Sequence, residues 1–204
     1  MTPWEKFEVE KLTKIFEEKK DIIDIGGGLR IQPGQGNRCE QQRLWLKDKI
    51  NSVNYKIVDK VADFHPDIVG DIHQLPLADN SVEAVICIAV LEHVEEPQKA
   101  AREIHRVLKP GGYAYIYLPF LYYYHPLPGY YGDFYRYTIE GARYLLREFS
   151  GFESVNVRGA LETVNKLYPV KLSRLTRGLT RLLDRWLHKT STNQTSGYNI
   201  FLTK

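Results

Sequence analysis

The run Asp21-Ile22-Ile23-Asp24-Ile25, which stops abruptly on Gly26-Gly27-Gly28, constrains the fold of this chain more than any other feature. Its isoleucines put apolar side chains on both faces of an extended segment, the pattern of a strand buried on both sides in a parallel sheet. The glycines after it mark a tight turn at the carboxyl end of that strand, where a ligand can approach bare backbone. Six more short apolar stretches follow, at residues 55–58, 67–69, 82–88, 113–118, 152–157 and 198–202, with helical segments between several of them. This alternation predicts an α/β fold, a doubly wound, seven-stranded, mostly parallel sheet flanked by helices. A length of 204 residues suits one domain, residues 1–204, with a sizeable core.

Helix signals are local. Trp4, Phe7, Leu12, Ile15 and Phe16 fall at helical spacing and predict an amphipathic helix over residues 4–20. Asn37, with Glu40 three residues on, reads as a capping box for a helix reaching Ile50. Residues 97–108 give the clearest helix: Pro97 suits the first position, Ala100, Ile104, Val107 and Leu108 share a face, and Pro110-Gly111-Gly112 ends it. Thr138 caps a further helix presenting Ile139, Ala142, Leu145, Leu146 and Phe149.

A net charge of +3 is too small to argue for a nucleic-acid partner, and none is expected. The two cysteines, Cys39 and Cys87, lack neighbours at metal-ligand spacing, so no metal site is expected either. The N-terminus lacks the pattern of a secretion signal, and the longest apolar run falls far short of the ~20 residues of a membrane span. A cytoplasmic protein is expected.

In an open α/β sheet ligands sit beyond the carboxyl ends of the strands. Asp24 ends the first strand, Asp59 follows the second and Asp71, beside Ile72, follows the third. A carboxylate after the second strand can accept both hydroxyls of a ribose, at roughly 1.5–3 kcal/mol for each charge-assisted hydrogen bond. An acid with an apolar neighbour after the third suits the amino group and face of an adenine. Taken singly, each acid is equally a turn former or helix cap. A dinucleotide fingerprint, G-x-G-x-x-G, fails because Ile31 fills its third glycine position, which disfavours a nicotinamide-dependent oxidoreductase.

Four motifs stand in order: Asp24-Ile25-Gly26-Gly27-Gly28; Gly70-Asp71-Ile72-His73-Gln74-Leu75-Pro76-Leu77-Ala78-Asp79-Asn80-Ser81; Val90-Leu91-Glu92-His93-Val94; and Arg106-Val107-Leu108-Lys109-Pro110-Gly111-Gly112. Over residues 22–152 the chain thereby resembles the class I S-adenosylmethionine-dependent methyltransferases, with their Rossmann-like fold. The resemblance implies that Asp24, Gly26, Gly27 and Gly28 hold the methionine end of S-adenosylmethionine, Asp59 its ribose, and Asp71 with Ile72 its adenine. It also implies a backbone contact from Ile88, just after the fourth strand. Two departures from the commonest pattern are Arg30 at the usual third alternate glycine and the spacing of only eleven residues between Asp59 and Asp71, which leaves Asp63 as a competitor for the ribose. A non-catalytic protein that binds the cofactor, or serves as a scaffold, is the alternative reading.

For a hydroxyl acceptor, the candidate general bases are His125, Asp133 and His93, at or after the carboxyl ends of the fourth and fifth strands. Ten of the fourteen tyrosines lie between Tyr113 and Tyr137. Tyr113, Tyr115 and Tyr117 alternate along a strand, whereas Tyr123, Tyr124, Tyr131 and Tyr135, with Arg136, fall in a loop. They are the candidate acceptor site, suited to a small molecule or a saccharide, by ring stacking and hydrogen bonding. An insertion over residues 159–196 carries a basic amphipathic helix at 171–189. In projection Leu172, Leu175, Leu179, Leu182, Leu183 and Trp186 fall within about 100° of arc. Such a helix packs its leucines on the domain or a second subunit, or lies on an anionic membrane.

Overall fold

The computed structural model describes residues 1–29, 41–168 and 170–204. Helix α1 (Pro3–Glu18) opens on a capping box, in which the Thr2 hydroxyl accepts from the Glu5 N–H at 3.3 Å and the Glu5 carboxylate accepts from the Thr2 N–H at 2.7 Å. Strand β1 (Asp21–Ile25) follows. The helix expected up to Ile50 is instead a 3-10 turn at Gln41–Leu46 and a single α turn, α2 (Lys47–Ile50). Its cap, Asn37 with Glu40, lies outside the described residues, as do Arg30, Ile31 and Cys39. In this turn the Arg43 guanidinium donates to Glu8 of α1 and to the Gly28 carbonyl, so the segment braces the loop after β1.

The remaining elements are β2 (Asn54–Asp59), β3 (Ile68–Val69), β4 (Val82–Ile88), α3 (Pro97–Val107), β5 (Leu108–Pro119), α4 (Ile139–Leu145), β6 (Gly151–Asn156), α5 (Ala160–Lys166), α6 (Val170–Trp186) and β7 (Gly197–Thr203). Asp59 and Ile88 are therefore the last residues of their strands rather than the first beyond them, because each still pairs with a neighbouring strand. The seven strands lie in the order β3-β2-β1-β4-β5-β7-β6, and only β7 runs antiparallel to its neighbours.

Alternation along each strand supplies both layers of the core. Ile22, Ala84, Ile86, Tyr115 and Phe201 face α1 with Leu12, Ile15 and Phe16, while Ile23, Ile25, Val85, Cys87, Ala114 and Ile116 face α3 and α4. Truncating a fully buried isoleucine such as Ile22 or Ile86 to alanine costs about 2–5 kcal/mol. The strand order reverses at β1, between β2 and β4, which places the crevice of a doubly wound fold above the carboxyl ends of β1 and β4.

In the 159–196 segment α5 and α6 form a helical pair. Buried Glu162 of α5 meets Arg181 at 2.8 Å and Arg177 at 3.2 Å, and buried Asp184 of α6 caps α5 by accepting the N–H groups of Leu161 and Glu162, each at 2.9 Å. A side chain on Gly159 would collide with that capping carboxylate. The polar face of α6 is thus turned inward, and Leu172, Leu175, Leu179, Leu182 and Trp186 are exposed. The reading in which these leucines pack onto the domain does not hold. Among the described residues no helix is long and apolar enough to cross a membrane.

Candidate active site

The loop after β1 is built around Asp24. This carboxylate is fully buried; one oxygen accepts from the Gly28 N–H at 3.0 Å, the other from the Leu29 N–H at 3.0 Å and the Tyr55 hydroxyl at 2.5 Å. Burial pushes its pKa up to about 6, against the pull of those donors. Asp24 therefore shapes the glycine loop from beneath, through the N–H groups of Gly28 and Leu29. Gly26 adopts φ +76°, and a Cβ there would lie 2.6 Å from the Val90 side chain; one on Gly28 would lie 2.8 Å from the Ile88 carbonyl. The loop thus seats directly against the end of β4. Beyond Ile88, Ala89 takes φ +56°, a strained conformation that turns the chain sharply into the next segment.

Half-buried Asp59 accepts the Val61 N–H at 2.8 Å, and burial raises its pKa. Asp63 lies in the short 3-10 turn that follows. Asp71 accepts the His73 N–H at 2.9 Å, approaches the His73 ring at 2.6 Å, and lies 3.1 Å from the Lys60 ammonium. Partial burial would raise its pKa, but these three partners outweigh it and hold the carboxyl down at about 2. Ile72 is buried behind it. The three acids and the glycine loop thus line the carboxyl ends of β1, β2 and β3, as the spacing in the sequence implies.

On the far side of β1, a loop leaves β5 at Pro119 and returns where the Tyr137 N–H donates to the Pro119 carbonyl at 2.8 Å. The Tyr137 hydroxyl donates to the Leu91 carbonyl at 2.6 Å, and the N–H groups of Phe134 and Tyr135 donate to the Glu92 carbonyl. Inside the loop, Asp133 accepts both arms of the Arg136 guanidinium at 2.5 and 2.8 Å and the His125 N–H at 2.8 Å. Arg136, the largest influence, holds the Asp133 carboxyl well below the usual range, and the Asp133 side chain has no exposure. Arg136 also donates to the carbonyls of Tyr122 and Tyr123. As placed, Asp133 and Arg136 fold the loop; an ionised, fully covered Asp133 is not poised to take a proton, and Arg136 is committed to partners within the loop.

The histidines have a different setting. His93 Nδ1 lies 2.6 Å from the Gly132 carbonyl, His125 Nδ1 lies 2.9 Å from that of Tyr123, and the two rings meet edge to face at 4.8 Å. Burial lowers the pKa of His93. Beside both rings lies Glu92, fully buried, with neither carboxylate oxygen hydrogen-bonded among the described residues, and burial pushes its pKa up to about 8. The sequence singles out His93 in the turn Leu91-Glu92-His93-Val94 and gives no reason to choose Glu92, whose burial depends on the loop that closes over it.

Tyr123, Tyr124, Tyr131 and Tyr135 all present exposed rings, with Tyr124 at 75% exposure, and Tyr131 packs 4.5 Å from His93. The Tyr135 hydroxyl donates to the Glu95 carbonyl. Tyr130 stacks on Phe64 at 5.2 Å, so the loop after β5 reaches the connection after β2 and spans the crevice over β1 and β4. A separate cleft of about 590 Å³ lies between the start of α1 and the α5–α6 pair, lined by Trp4, Glu162, Arg181 and Arg185 among others.

Comparison with known proteins gives the same architecture. A family model described as a methyltransferase domain matches residues 41–116. A ubiquinone/menaquinone biosynthesis C-methyltransferase from Neisseria meningitidis is 27% identical over 175 residues, 80% of this chain and 70% of that one. An uncharacterized protein of Methanocaldococcus jannaschii is 32% identical over 106 residues, and the corresponding enzyme of Vibrio cholerae 33% identical over 100 residues. The chain spans less than half of each of those two relatives, 44% and 38% respectively. Among solved structures, a SAM-dependent methyltransferase from Archaeoglobus fulgidus superposes with a TM-score of 0.61 at 15% identity, covering 98% of this chain and 92% of that one. Haemonchus contortus phosphoethanolamine N-methyltransferase 2, in complex with S-adenosyl-L-methionine, gives 0.53 at 14% identity, covering 97% and 52%. The fold is the Rossmann-like fold of these methyltransferases.

Proposed function

We propose that the chain is an S-adenosylmethionine-dependent methyltransferase that methylates a hydroxyl of a small or saccharide-like acceptor. The observation that carries this reading is the placement, on either side of the β1–β4 crevice, of an acid-braced glycine loop and of the Glu92–His93–His125 cluster under an aromatic loop. The glycine loop and the Ile88 carbonyl take the methionine portion of the cofactor, Asp59 its ribose, and Ile72 with Asp71 its adenine. Asp24 contributes by holding the loop. Tyr123, Tyr124, Tyr131 and Tyr135 offer exposed faces for stacking on a sugar ring.

The reaction is an in-line displacement. The acceptor oxygen bonds to the methyl carbon, the sulfur–carbon bond breaks with its electrons left on sulfur, and the hydroxyl proton is lost on the side of the Glu92–His93–His125 cluster. Alignment of the two reactants alone can supply ~7–11 kcal/mol of the barrier reduction. C-methylation, the reaction in the names of the Neisseria and Vibrio relatives, likewise releases a proton from its acceptor, so the cluster suits either atom, and oxygen is favoured here by the exposed rings that suit a hydroxyl-rich sugar.

Calorimetric titration with S-adenosylmethionine, S-adenosylhomocysteine and NADH tests the reading. Binding of both sulfur nucleosides and not NADH is expected, and loss of the carboxylate in Asp59→Ala should weaken it by about 1.5–3 kcal/mol. A folded sample that binds neither sulfur nucleoside would overturn the proposal, and one that binds them but methylates no acceptor would favour a non-catalytic role.

The outward leucines of α6, flanked by Lys171, Arg174, Arg185 and Lys189, favour an acceptor met at an anionic membrane surface. Co-sedimentation with anionic vesicles should fall on Leu175→Glu. Unchanged vesicle binding would sink this part, and a monomeric variant of an otherwise dimeric chain would assign the face to self-association.

A further inference from the structure

We propose that Glu92, His93 and His125 bind one divalent metal ion of the zinc or manganese kind, on the acceptor side of the crevice. Ligand-capable atoms of the three residues all lie within 4.8 Å of one another. Glu92 Oε1 stands 3.8 Å from His93 Nε2 and 4.0 Å from His125 Nε2.

The hydrogen bonds fix what those atoms offer. A carbonyl oxygen only accepts, so the Gly132 and Tyr123 carbonyls assign the proton of each neutral ring to Nδ1 and leave a lone pair on each Nε2. The cluster therefore gathers two imidazole lone pairs and a buried carboxylate whose two oxygens have no hydrogen-bond partner. Acceptors that face one another without a donor are costly to bury, and a cation between them reverses the sign of that interaction.

An imidazole held by a backbone carbonyl through its other nitrogen is the outer-shell arrangement found around ligating histidines, and here it occurs at both rings. Two imidazoles and one carboxylate form a set used for catalytic zinc and related ions, with positions left for water or substrate. Ligands ~2.0–2.1 Å from a tetrahedral ion lie ~3.4 Å apart, so the two Glu92 separations, 3.8 and 4.0 Å, close with shifts of about half an ångström and the widest spacing in the cluster, up to 4.8 Å, with shifts of about 1.4 Å. His125, carried on the loop and a quarter exposed, has the freedom to make them.

On the methyltransferase reading, with which this inference stands or falls only as to role, the ion holds the acceptor oxygen beside the sulfonium methyl. By drawing electron density from that oxygen it lets the hydroxyl proton leave to solvent as the oxygen–methyl bond forms. The histidines then hold the ion rather than take the proton.

The test strips the purified full chain with chelator, then measures uptake of zinc, manganese and magnesium by elemental analysis and calorimetry, with S-adenosylmethionine titrated on the same samples. One zinc or manganese ion per chain is expected. Glu92→Gln, close in shape, and His125→Ala, in the loop, should each weaken uptake by ~10–100-fold or more, since outer-shell changes alone cost that much. Circular dichroism shows whether each variant is folded, and cofactor affinity should be unchanged in both. A wild-type chain that takes up no ion, takes up magnesium alone, or shares its affinity with both variants overturns the proposal. Cofactor binding without metal uptake removes the ion and leaves the methyltransferase reading; metal uptake without cofactor binding does the reverse.

Discussion

Asp24 and Glu92 are both fully buried at the same end of the sheet, and their surroundings differ completely. Asp24, under the glycine loop, receives three hydrogen bonds from its own chain. Glu92, under the aromatic loop, receives none on its side chain among the described residues, and its neighbours include two imidazoles whose Nε2 atoms lie 3.8 and 4.0 Å from it. Burial raises both, to about 6 and about 8, and the lower value belongs to the acid with donors. The chain completes the environment of the first acid by itself and that of the second it does not, which separates a structural carboxylate from one available to a ligand.

The sharpest way to break this comparison is Asp24→Ala. It strands the N–H groups of Gly28 and Leu29 and the Tyr55 hydroxyl in the core, so a loss of about 3–5 kcal/mol is expected in urea denaturation, together with loss of cofactor binding. A loss below about 1 kcal/mol would show that the loop holds without its brace.

A smaller effect is expected from pH. Because the folded-state pKa of Asp24, about 6, lies above its ordinary value of 3.8, the native state binds the proton more tightly than the unfolded chain. Its contribution to stability is therefore fully present below pH 3.8 and is lost as pH rises through 6, at up to about 1.4 kcal/mol per pH unit. Denaturation midpoints of the wild type and Asp24→Asn between pH 4 and 7 measure this. The slope should be shallower in the variant, and equal slopes would mean that Asp24 titrates normally.

Tyr55→Phe removes one of the three donors and should cost about 1 kcal/mol. The smallest stability effect is expected at Glu92→Gln. Nothing among the described residues is hydrogen-bonded to the carboxylate, so stability should stay within about 1 kcal/mol of the wild type while methyl transfer falls by at least ~100-fold. Stability lost on the scale of Asp24→Ala would make Glu92 structural and erase the distinction.

Much of the sheet was legible because its signals are local. Isoleucines on both faces of residues 21–25 specify a central strand wherever it ends up, and Thr138 caps α4 through its hydroxyl with the Gly141 N–H 3.0 Å away, as its position implies. The segment ending at Ile50 was less legible, since the Arg43 contacts to Glu8 and Gly28 that brace it join residues far apart in sequence. In the site, the acids and glycines stand where their spacing after strands puts them. The roles of Asp133 and Arg136 were hidden, because a carboxylate and a guanidinium three residues apart look alike whether they face a ligand or each other.

The sequence by itself determined the strands, their two-sided burial, the glycine turn and the leucine stripe of α6, all properties of neighbouring residues and of helical or extended periodicity. The tertiary structure alone decided which way that stripe points, since Glu162 and Asp184 draw the polar face of α6 inward through contacts 15 to 23 residues apart. It also decided that Glu92 has no donor, because that depends on a loop more than thirty residues away folding over the turn at the end of β4. Periodicity is written into a chain locally, whereas the dielectric surroundings and partners of a charge are set by whatever the fold brings to it.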